Sequence, residues 1–188
     1  DSLFQDKRFL LPDGEYMPEY ARALIGATGK GKFLDAAYTY RTFTPGDDIR
    51  PLAATSTSIA VLFCNEAMSP YLYASLARQG ARIFINAASQ AWFHGSRRVE
   101  DQMRSIATVR AVESRRFYVQ ATDASPSFAL DPYGRLIAIT AWVETGVARV
   151  LIEERHDASP YSSLGPWVVW VSVIWLLFAA ARARERML

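Results

Sequence analysis

The clearest hydrophobic pattern lies near the C-terminus, where 18 consecutive residues carry no charge. The stretch LGPWVVWVSVIWLLFAAA runs from Leu164 to Ala181. As a helix rising about 1.5 Å per residue it would span roughly 27 Å, close to the hydrocarbon thickness of a bilayer. Trp167 and Trp170 are placed for an interfacial aromatic belt, and Ser172 can return its hydrogen bond to the preceding turn. The pattern predicts one transmembrane helix, with a buried helix of a large soluble protein as the alternative.

The charges that follow this stretch indicate its orientation. Arg182, Arg184 and Arg186 come directly after it, and positively charged flanks tend to stay in the cytoplasm. We therefore expect a cytoplasmic C-terminus, with residues 161–188 forming the transmembrane helix and a basic tail. Residues 1–160 would then be a domain on the opposite side, periplasmic or extracytoplasmic in a bacterium.

Upstream of the apolar stretch, strand and helix patterns alternate. TSIAVLF, residues 57–63, is β-branched and apolar on both faces, as expected of a central strand covered on both sides. Ser69 and Pro70 fit the N-cap and first turn of a helix that Gly80 would end. ARIFIN, residues 81–86, is the next strand, and we expect it to run parallel to the first.

A second helix, a third strand and a hairpin follow. RFYVQAT, residues 116–122, reads as a strand, and residues 127–142 are two apolar runs around a turn, Asp-Pro-Tyr-Gly. Residues 26–48, rich in glycine and threonine, are predicted to be a long loop. The second helix is indicated by apolar residues that recur at helical spacing: Val99, Met103, Ile106, Ala107 and Ala111.

Composition and charge narrow the function classes. The chain has 188 residues, of which 51% are apolar, and this suits one folded domain and excludes intrinsic disorder. A net charge of +2 is too small to argue for nucleic-acid binding. His94 and His156 have no spacing to a second ligand, so we expect no metal and no cofactor. Because the chain begins at Asp1 without methionine, we expect it to be a piece of a longer protein.

The single cysteine, Cys64, comes directly after the predicted strand 57–63. Open α/β folds place their chemistry at the carboxyl ends of central strands, where a thiolate could act as a nucleophile. The negative charge of Glu66 would oppose ionisation of that thiol, so a cation or base must come from elsewhere, and Lys7 is the candidate. The competing interpretation, which spacing alone favours, is a buried cysteine that only packs.

Two short strings resemble motifs of the nitrilase superfamily, and within it of the apolipoprotein N-acyltransferase family. DKRFLLPDGEYMP resembles the stretch around that family's catalytic lysine, with Lys7 at the lysine, Glu15 at a loop glutamate and Asp13 where phenylalanine is usual. CNE resembles the family's Cys-Tyr-Glu, with Cys64 at the nucleophile and Glu66 at the glutamate.

Three further strings extend the resemblance over nearly the whole chain. NAASQAWFHGS resembles Asn-x-Thr-Asn-Asp-x-Trp-Phe-Gly-x-Ser, with matches that include Asn86, Trp92 and Phe93. RAVESRR and ALDPYGR resemble a helix and a hairpin of the family, and the C-terminal apolar stretch stands where the family has its last transmembrane helix. Five strings in this order are specific, although each alone is weak.

The chain also departs from the family pattern at several positions. Asn65 replaces the usual tyrosine after the cysteine, and Ser89 and Gln90 stand where Asn-Asp is usual. TDASPS, residues 122–127, replaces Asn-Thr-Gly-x-Ser. These changes alter the lining of the pocket and leave the choice of substrate open.

The resemblance implies an α/β fold, a nitrilase-like α-β-β-α sandwich of which this chain carries part, followed by one C-terminal transmembrane helix. It implies a bacterial inner-membrane enzyme that moves a phospholipid acyl chain through a cysteine thioester to the N-terminal amine of a lipoprotein. The partners are then the phospholipid donor, the diacylglyceryl-lipoprotein acceptor and the membrane. The superfamily triad is Glu-Lys-Cys, so the glutamate base would come from an upstream segment or another chain.

The same resemblance assigns residue roles. Cys64 is the nucleophile, and Lys7 is the cation that stabilises the oxyanion. Glu15 and Glu66 would hydrogen-bond the lysine or the entering amine. The substrate pocket would be lined by Asn65, Trp92 and Phe93.

Two other classes stay open: a membrane-tethered amidase or nitrilase-type hydrolase, and a non-catalytic remnant or partner module. The absent glutamate favours the module. Against the hydrolase, the long loop 26–48 favours a lipid-facing lid because it carries four aromatic residues: Phe33, Tyr38, Tyr40 and Phe43.

Several charged residues have simpler structural interpretations. Residues 97–98 and 115–116, two pairs of arginines, are interpreted as solvated helix ends, with contacts to anionic lipid head groups as the alternative. Arg110 and Glu113, three positions apart on the predicted helix, should form an ion pair.

Overall fold

The computed structural model describes residues 4–12, 14–29, 32, 43–54, 56–142 and 146–185. They form a six-stranded mixed sheet, with the main helices packed on it. Asp13, Phe33, Tyr38, Tyr40 and Arg186 lie outside the described residues. The strands are β1 (Leu52–Ala54), β2 (Thr57–Phe63), β3 (Ile83–Ala88), β4 (Phe117–Thr122), β5 (Phe128–Leu130) and β6 (Leu136–Ile139). The helices are α1 (Glu19–Gly26), α2 (Pro70–Arg78), α3 (Arg97–Ser114), α4 (Pro160–Leu164) and α5 (Trp167–Glu185).

The strands lie side by side in the same order as in the sequence, from β1 to β6. Strands β2, β3 and β4 are parallel neighbours, while β1, β5 and β6 pair antiparallel with the strands beside them. Helices α2 and α3 make the two crossovers, so the predicted strand-helix-strand unit is confirmed. Because β2, β3 and β4 run in one direction, their carboxyl ends lie at the same edge of the sheet.

The core lies between the sheet and helices α2 and α3. Alternate residues of the strands face it, so Ala60 and Leu62 of β2 are fully buried while Ile59 and Val61 are partly exposed. No residue of β2 is exposed, although the face away from the helices is only partly buried among the described residues. The strand assignment of β2 is confirmed. On α3, Ala107 and Ala111 are fully buried, and the other three residues of the predicted stripe are half-buried.

Several helix boundaries differ from the sequence prediction. Helix α1 lies beside the predicted loop and was not foreseen, and none of its residues is buried. Ser69 occupies the N-cap position of α2, but its side chain makes no cap hydrogen bond. Gly80, at φ +99°, follows the helix end as predicted.

The apolar C-terminal stretch forms α5, which begins three residues later than predicted. Gly165, at φ 65° and ψ −147°, and Pro166 separate it from α4. Among the described residues, α5 is the one helix that is both long enough and apolar enough to cross a membrane. Its 18 residues Trp167–Arg184 are not buried against the rest of the protein. Ser172 Oγ donates to the Val168 carbonyl at 2.8 Å, as expected.

The arginines near the ends of α3 differ in environment. Arg110 and Glu113 form the predicted ion pair at 2.8 Å. Arg116, interpreted above as part of a solvated helix end, is only 3% exposed. Its guanidinium donates to the carbonyls of Ala81 and Asp157 at 2.9 and 2.8 Å. That interpretation is wrong for Arg116 because the segment before α4 covers it.

The hairpin of β5 and β6 is held by one carboxylate in its turn. Asp131 accepts hydrogen bonds from the backbone of Tyr133 and Arg135, both at 2.9 Å, and from Arg135 Nε at 2.6 Å. Burial alone would raise the pKa of Asp131, but these hydrogen bonds outweigh it and the pKa lies below its ordinary value. The ionised side chain therefore stabilises the turn.

Replacing Asp131 by asparagine should destabilise the protein in a pH-dependent way. A depressed pKa contributes stability that is present above the unfolded value of about 3.9 and is lost as the pH falls through the folded value. We expect a cost of about 1–3 kcal/mol at neutral pH from weakened charged hydrogen bonds. Thermal unfolding of both proteins should show the difference shrinking below about pH 4. Asp101→Asn, at an exposed ion pair, is the control, and equal effects of the two variants would contradict the prediction.

Candidate active site

The single cysteine stands on a tight turn at the end of β2. Cys64 has φ +50°, in the left-handed region that residues with a side chain seldom adopt. Such a conformation costs roughly 1–2 kcal/mol, so the surrounding contacts must hold it. A 3-10 helix, Cys64–Met68, begins at this residue. The thiol is free and half-buried, so Cys64 is not a fully buried core residue.

The carboxylate of Glu66 ties this turn to the start of the chain. Its side chain is fully buried. Oε2 accepts from the backbone N–H of Phe63 at 2.8 Å, and Oε1 accepts from the N–H groups of Arg8 and Phe9 at 2.7 and 3.1 Å. Glu66 therefore connects the residue before the cysteine with the residues after Lys7. The three groups that donate to the Glu66 carboxylate are all backbone N–H groups, and Lys7 Nζ is not one of them.

Lys7 and Glu15 form a close ion pair beside the turn. Lys7 Nζ lies 2.6 and 2.7 Å from the two carboxylate oxygens of Glu15. The side chains are 14% and 27% exposed, so the pair is largely screened from water. Glu15 Oε2 also accepts from the backbone N–H of Leu11 at 2.7 Å. Glu15 thus fixes the lysine and closes the loop between them.

A short segment, residues 43–48, packs against this lysine loop. The N–H of Gly46 donates to the Lys7 carbonyl at 2.9 Å, and the N–H of Phe43 donates to the Glu15 carbonyl at 3.0 Å. Gly46 approaches closely: a Cβ at this position would lie 2.6 Å from Asp6 Cβ. The position therefore requires glycine because the two backbones are in contact.

Cys64, Lys7 and Glu15 line one cavity of about 680 Å³. Cys64 lies 49 positions after Glu15 and 57 positions after Lys7, so only the folded chain brings the thiol to the ion pair. Apolar side chains form most of the remaining wall: Leu10, Leu11, Phe43, Phe63, Trp92 and Phe93. This arrangement places a thiol and an ammonium group beside a largely apolar space, which suits an apolar acyl group better than a small polar amide.

The other residues predicted for the site occupy different places. Trp92 and Phe93, in a 3-10 helix Ala91–Phe93, are 67% and 42% exposed and line the cavity. Glu66 lies behind it. Asn65 is not part of the cavity wall in the described structure, and its Oδ1 is buried without a hydrogen bond.

Two segments that depart from the family pattern contact each other at the rim of the cavity: Ser89 and Gln90 in one, and Asp123 of TDASPS in the other. Ser89 Oγ donates to Asp123 Oδ2 at 2.8 Å, and the N–H of Gln90 donates to Asp123 Oδ1 at 2.9 Å. These hydrogen bonds lower the pKa of Asp123. Asp123 was missed as a site residue because its partners are 33 and 34 positions away. Only the parallel pairing of β3 and β4 brings their ends together.

A buried polar group beneath the turn was also missed. Asn86 Nδ2 donates to the Cys64 carbonyl at 3.3 Å and to Gln120 Oε1 at 3.1 Å. Asn86 belongs to a string that resembles the family, but nothing in the sequence pointed to Gln120. No group of three or more His, Cys, Asp or Glu side chains within the described ranges could hold a metal ion.

Comparison with known sequences decides the family. A sequence model of the carbon-nitrogen hydrolase family matches residues 16–159, most of the chain. The chain belongs to the carbon-nitrogen hydrolase family. The predicted resemblance to the nitrilase superfamily is thereby confirmed. Cys64 and Glu66 of this carbon-nitrogen hydrolase lie within the match, and Lys7 and Glu15 precede it.

Curated relatives of this carbon-nitrogen hydrolase chain are named apolipoprotein N-acyltransferase. One from Geobacter metallireducens is 27% identical over 186 residues, which are 96% of this chain and 33% of the relative. One from Pseudomonas aeruginosa (strain LESB58) is 30% identical over 190 residues, 97% of this chain and 35% of the relative. The chain therefore spans about a third of the length of these relatives.

A solved structure shows the same fold. The crystal structure of a carbon-nitrogen hydrolase from Helicobacter pylori G27 matches with a TM-score of 0.51 and 17% identity, covering 59% of this chain and 46% of that one. The prediction of a nitrilase-type α/β fold is confirmed.

Replacing Glu66 by glutamine should loosen both segments that the carboxylate joins. An amide NH₂ group cannot accept, so at least one of the three backbone donors would face another donor. Losing hydrogen bonds to a buried charged group costs about 1.5–3 kcal/mol each. We expect a lower melting temperature and faster tryptic cleavage after Lys7 or Arg8. Glu19→Gln, on exposed helix α1, is the control, and unchanged cleavage in the Glu66 variant would contradict this role.

Replacing Gly46 by alanine should displace the loop that carries Lys7. The added Cβ cannot coexist with the present position of Asp6. We expect faster tryptic cleavage after Lys7 or Arg8 at an unchanged global melting temperature within a few degrees. Gly26→Ala is the matched control, since no atom lies within 4 Å of a Cβ added there. Identical cleavage rates in the two variants would show that the close approach is unimportant.

Proposed function

We propose that this chain is the part of a membrane-bound acyltransferase that carries the nucleophile. In this proposal it moves a phospholipid acyl chain through a thioester on Cys64 to the N-terminal amine of a lipoprotein. One observation carries it: the thiol and the Lys7–Glu15 pair line the same largely apolar cavity. The relatives named apolipoprotein N-acyltransferase support the same choice.

The first half-reaction acylates the cysteine. A base removes the thiol proton, and Sγ attacks the ester carbonyl carbon of the phospholipid. The carbonyl electron pair moves onto oxygen, where the ammonium group of Lys7 and backbone N–H groups after Cys64 stabilise the charge. Collapse breaks the bond to the glycerol oxygen, which takes the proton back from the base. The products are a lysophospholipid and a thioester.

The second half-reaction transfers the acyl group to an amine. The N-terminal amine of a diacylglyceryl-lipoprotein attacks the thioester carbon and loses a proton to the same base. The C–S bond breaks, and the thiolate recovers the proton. The result is an amide on the lipoprotein and a free Cys64, in a ping-pong sequence.

The base in this proposal is a glutamate from outside these residues, as in the superfamily triad. Glu15 is unsuited because Lys7 and the Leu11 N–H already occupy its oxygens. Glu66 is unsuited because three backbone donors occupy its oxygens. We assign Glu15 to orienting the lysine and Glu66 to holding the lysine loop against the cysteine turn.

Helix α5 would hold the enzyme at the membrane. Its uncharged part, Trp167–Ala181, would span about 22 Å as a helix, so the side chains of Arg182 and Arg184 would have to extend toward the surface. By the positive-inside rule these arginines are cytoplasmic, and the domain before the helix is periplasmic in the bacterial inner membrane. The acyl ester of a phospholipid lies near the same surface.

A direct test is the peptide-level mass of Cys64 in full-length protein extracted from its own membranes. Neutral hydroxylamine cleaves thioesters, so we expect an acyl adduct on Cys64 that disappears on treatment. Cys64→Ser is the control, because an oxygen ester at this position would resist the same treatment.

Other outcomes would support different functions. A bare cysteine together with release of free fatty acid or ammonia would indicate a hydrolase that passes its acyl group to water. A bare cysteine with no turnover would indicate a non-catalytic module. Either result, in material that contains the whole protein, would overturn the acyltransferase proposal.

A further inference from the structure

A hydrogen-bonded side-chain ladder lies directly beneath the cysteine turn. The Cys64 carbonyl accepts from Asn86 Nδ2 at 3.3 Å, and the same nitrogen donates to Gln120 Oε1 at 3.1 Å. Tyr118 OH donates to Gln120 Oε1 at 2.9 Å, and Tyr73 OH lies 3.4 Å from Tyr118 OH. The ladder therefore runs from the core of the sheet to the backbone of the nucleophile.

Strand register builds this ladder. Asn86 on β3 is the direct partner of Gln120 on β4, and Leu62 on β2 is the partner of Asn86. Tyr118 and Gln120 are two positions apart on one strand, so they face the same side of the sheet. The three polar side chains consequently meet on the face that packs against α2 and α3.

The ladder is buried as deeply as the apolar core. Asn86 and Tyr118 are 0% exposed and Gln120 is 2% exposed. Burial raises the pKa of Tyr118 far above its ordinary value, so the hydroxyl remains a donor. Apolar residues would fill these positions at lower desolvation cost, since Asn86 Oδ1 is buried without a hydrogen-bond partner even though Nδ2 is bonded to Gln120.

The ladder contacts the backbone of Cys64 through Asn86, so the conformation of that backbone is what the ladder can influence. Cys64 is one of three non-glycine residues at positive φ among the described residues, the others being His94 and Arg115. Its carbonyl direction determines where the thiol and the following N–H groups point. Gln120 Oε1 is shared by two donors, and it holds the Asn86 amide in the orientation that places Nδ2 toward the Cys64 carbonyl.

We propose that Gln120 is a positioning residue for the Cys64 nucleophile, acting through Asn86. Gln120 does not line the cavity of the candidate active site, so it acts without touching the substrate. The wider claim, that this positioning serves acyl transfer, rests on the proposed function. The effect on the thiol itself does not.

The test measures the rate at which iodoacetamide alkylates Cys64 in the full-length protein, followed by peptide mass. Gln120→Met keeps the side-chain length and removes the acceptor. We expect this rate to fall at least tenfold, because misplacing a reacting group by about 1 Å can cost about 100-fold in rate. Leu76→Ala is the control: it opens a cavity in the same core but removes no hydrogen-bonding group of the ladder, and we expect its rate to change less than twofold.

A double-substitution cycle separates positioning from general destabilisation. Asn86→Ala alone should change the alkylation rate at least as much as Gln120→Met. If Gln120 acts through Asn86, adding Gln120→Met to Asn86→Ala changes nothing further. The proposal would be overturned if the effects of the two substitutions multiplied independently. It would also be overturned if Gln120→Met were alkylated at the same rate as Leu76→Ala.

Acyl transfer gives a separate readout. For Gln120→Met we expect kcat to fall with the alkylation rate, while KM for the phospholipid stays within about twofold because the cavity wall is unchanged. A changed alkylation rate in a protein that shows no acyl transfer at all would retain the positioning role and reject the proposed function. An unchanged alkylation rate would reject the positioning role whatever the activity.

Discussion

The buried carboxylate of Glu66 is the interaction on which the site depends. Its two oxygens satisfy three backbone donors, one before the cysteine and two after Lys7. Charge-assisted hydrogen bonds in a water-poor interior are stronger than neutral ones, and leaving a buried carboxylate unpaired costs several kcal/mol. The loop that carries the lysine is thereby held against the end of β2, although 50 or more residues separate the two in sequence.

The cysteine turn is supported from two sides. Glu66 holds the backbone on the side of the lysine, and Asn86 holds the Cys64 carbonyl on the side of the core. A residue at φ +50° is unfavourable by itself, so such supports are what keep it in place. Lys7 is fixed in turn by Glu15, and the ion pair is sheltered by the apolar cavity wall. Charged side chains and an apolar cavity therefore lie together at one edge of the sheet.

Local sequence patterns predicted several elements correctly. Strand β2 was foreseen from a β-branched apolar run, helix α3 from apolar residues at helical spacing, and the β5–β6 hairpin from two apolar runs around its Asp-Pro-Tyr-Gly turn. Helix α1, which has no buried residue, was not foreseen. Arg116 was assigned to the surface because the segment that covers it lies 41 positions further along the chain. The start of α5 was misplaced since Gly165 and Pro166 are apolar in composition but interrupt the helix.

The sequence by itself determined the parallel α/β unit, the apolar C-terminal helix, and Cys64, Lys7, Glu15 and Glu66 as the residues to examine. Motif order and hydrophobic period are local properties, so they survive without coordinates. Only the tertiary structure decided that Glu66 binds backbone rather than the lysine, that Asp123 meets Ser89, and that Gln120 lies beneath the nucleophile. Each of those contacts depends on the register between neighbouring strands or on a loop folding back, and a one-residue slip would turn the side chains to the opposite face.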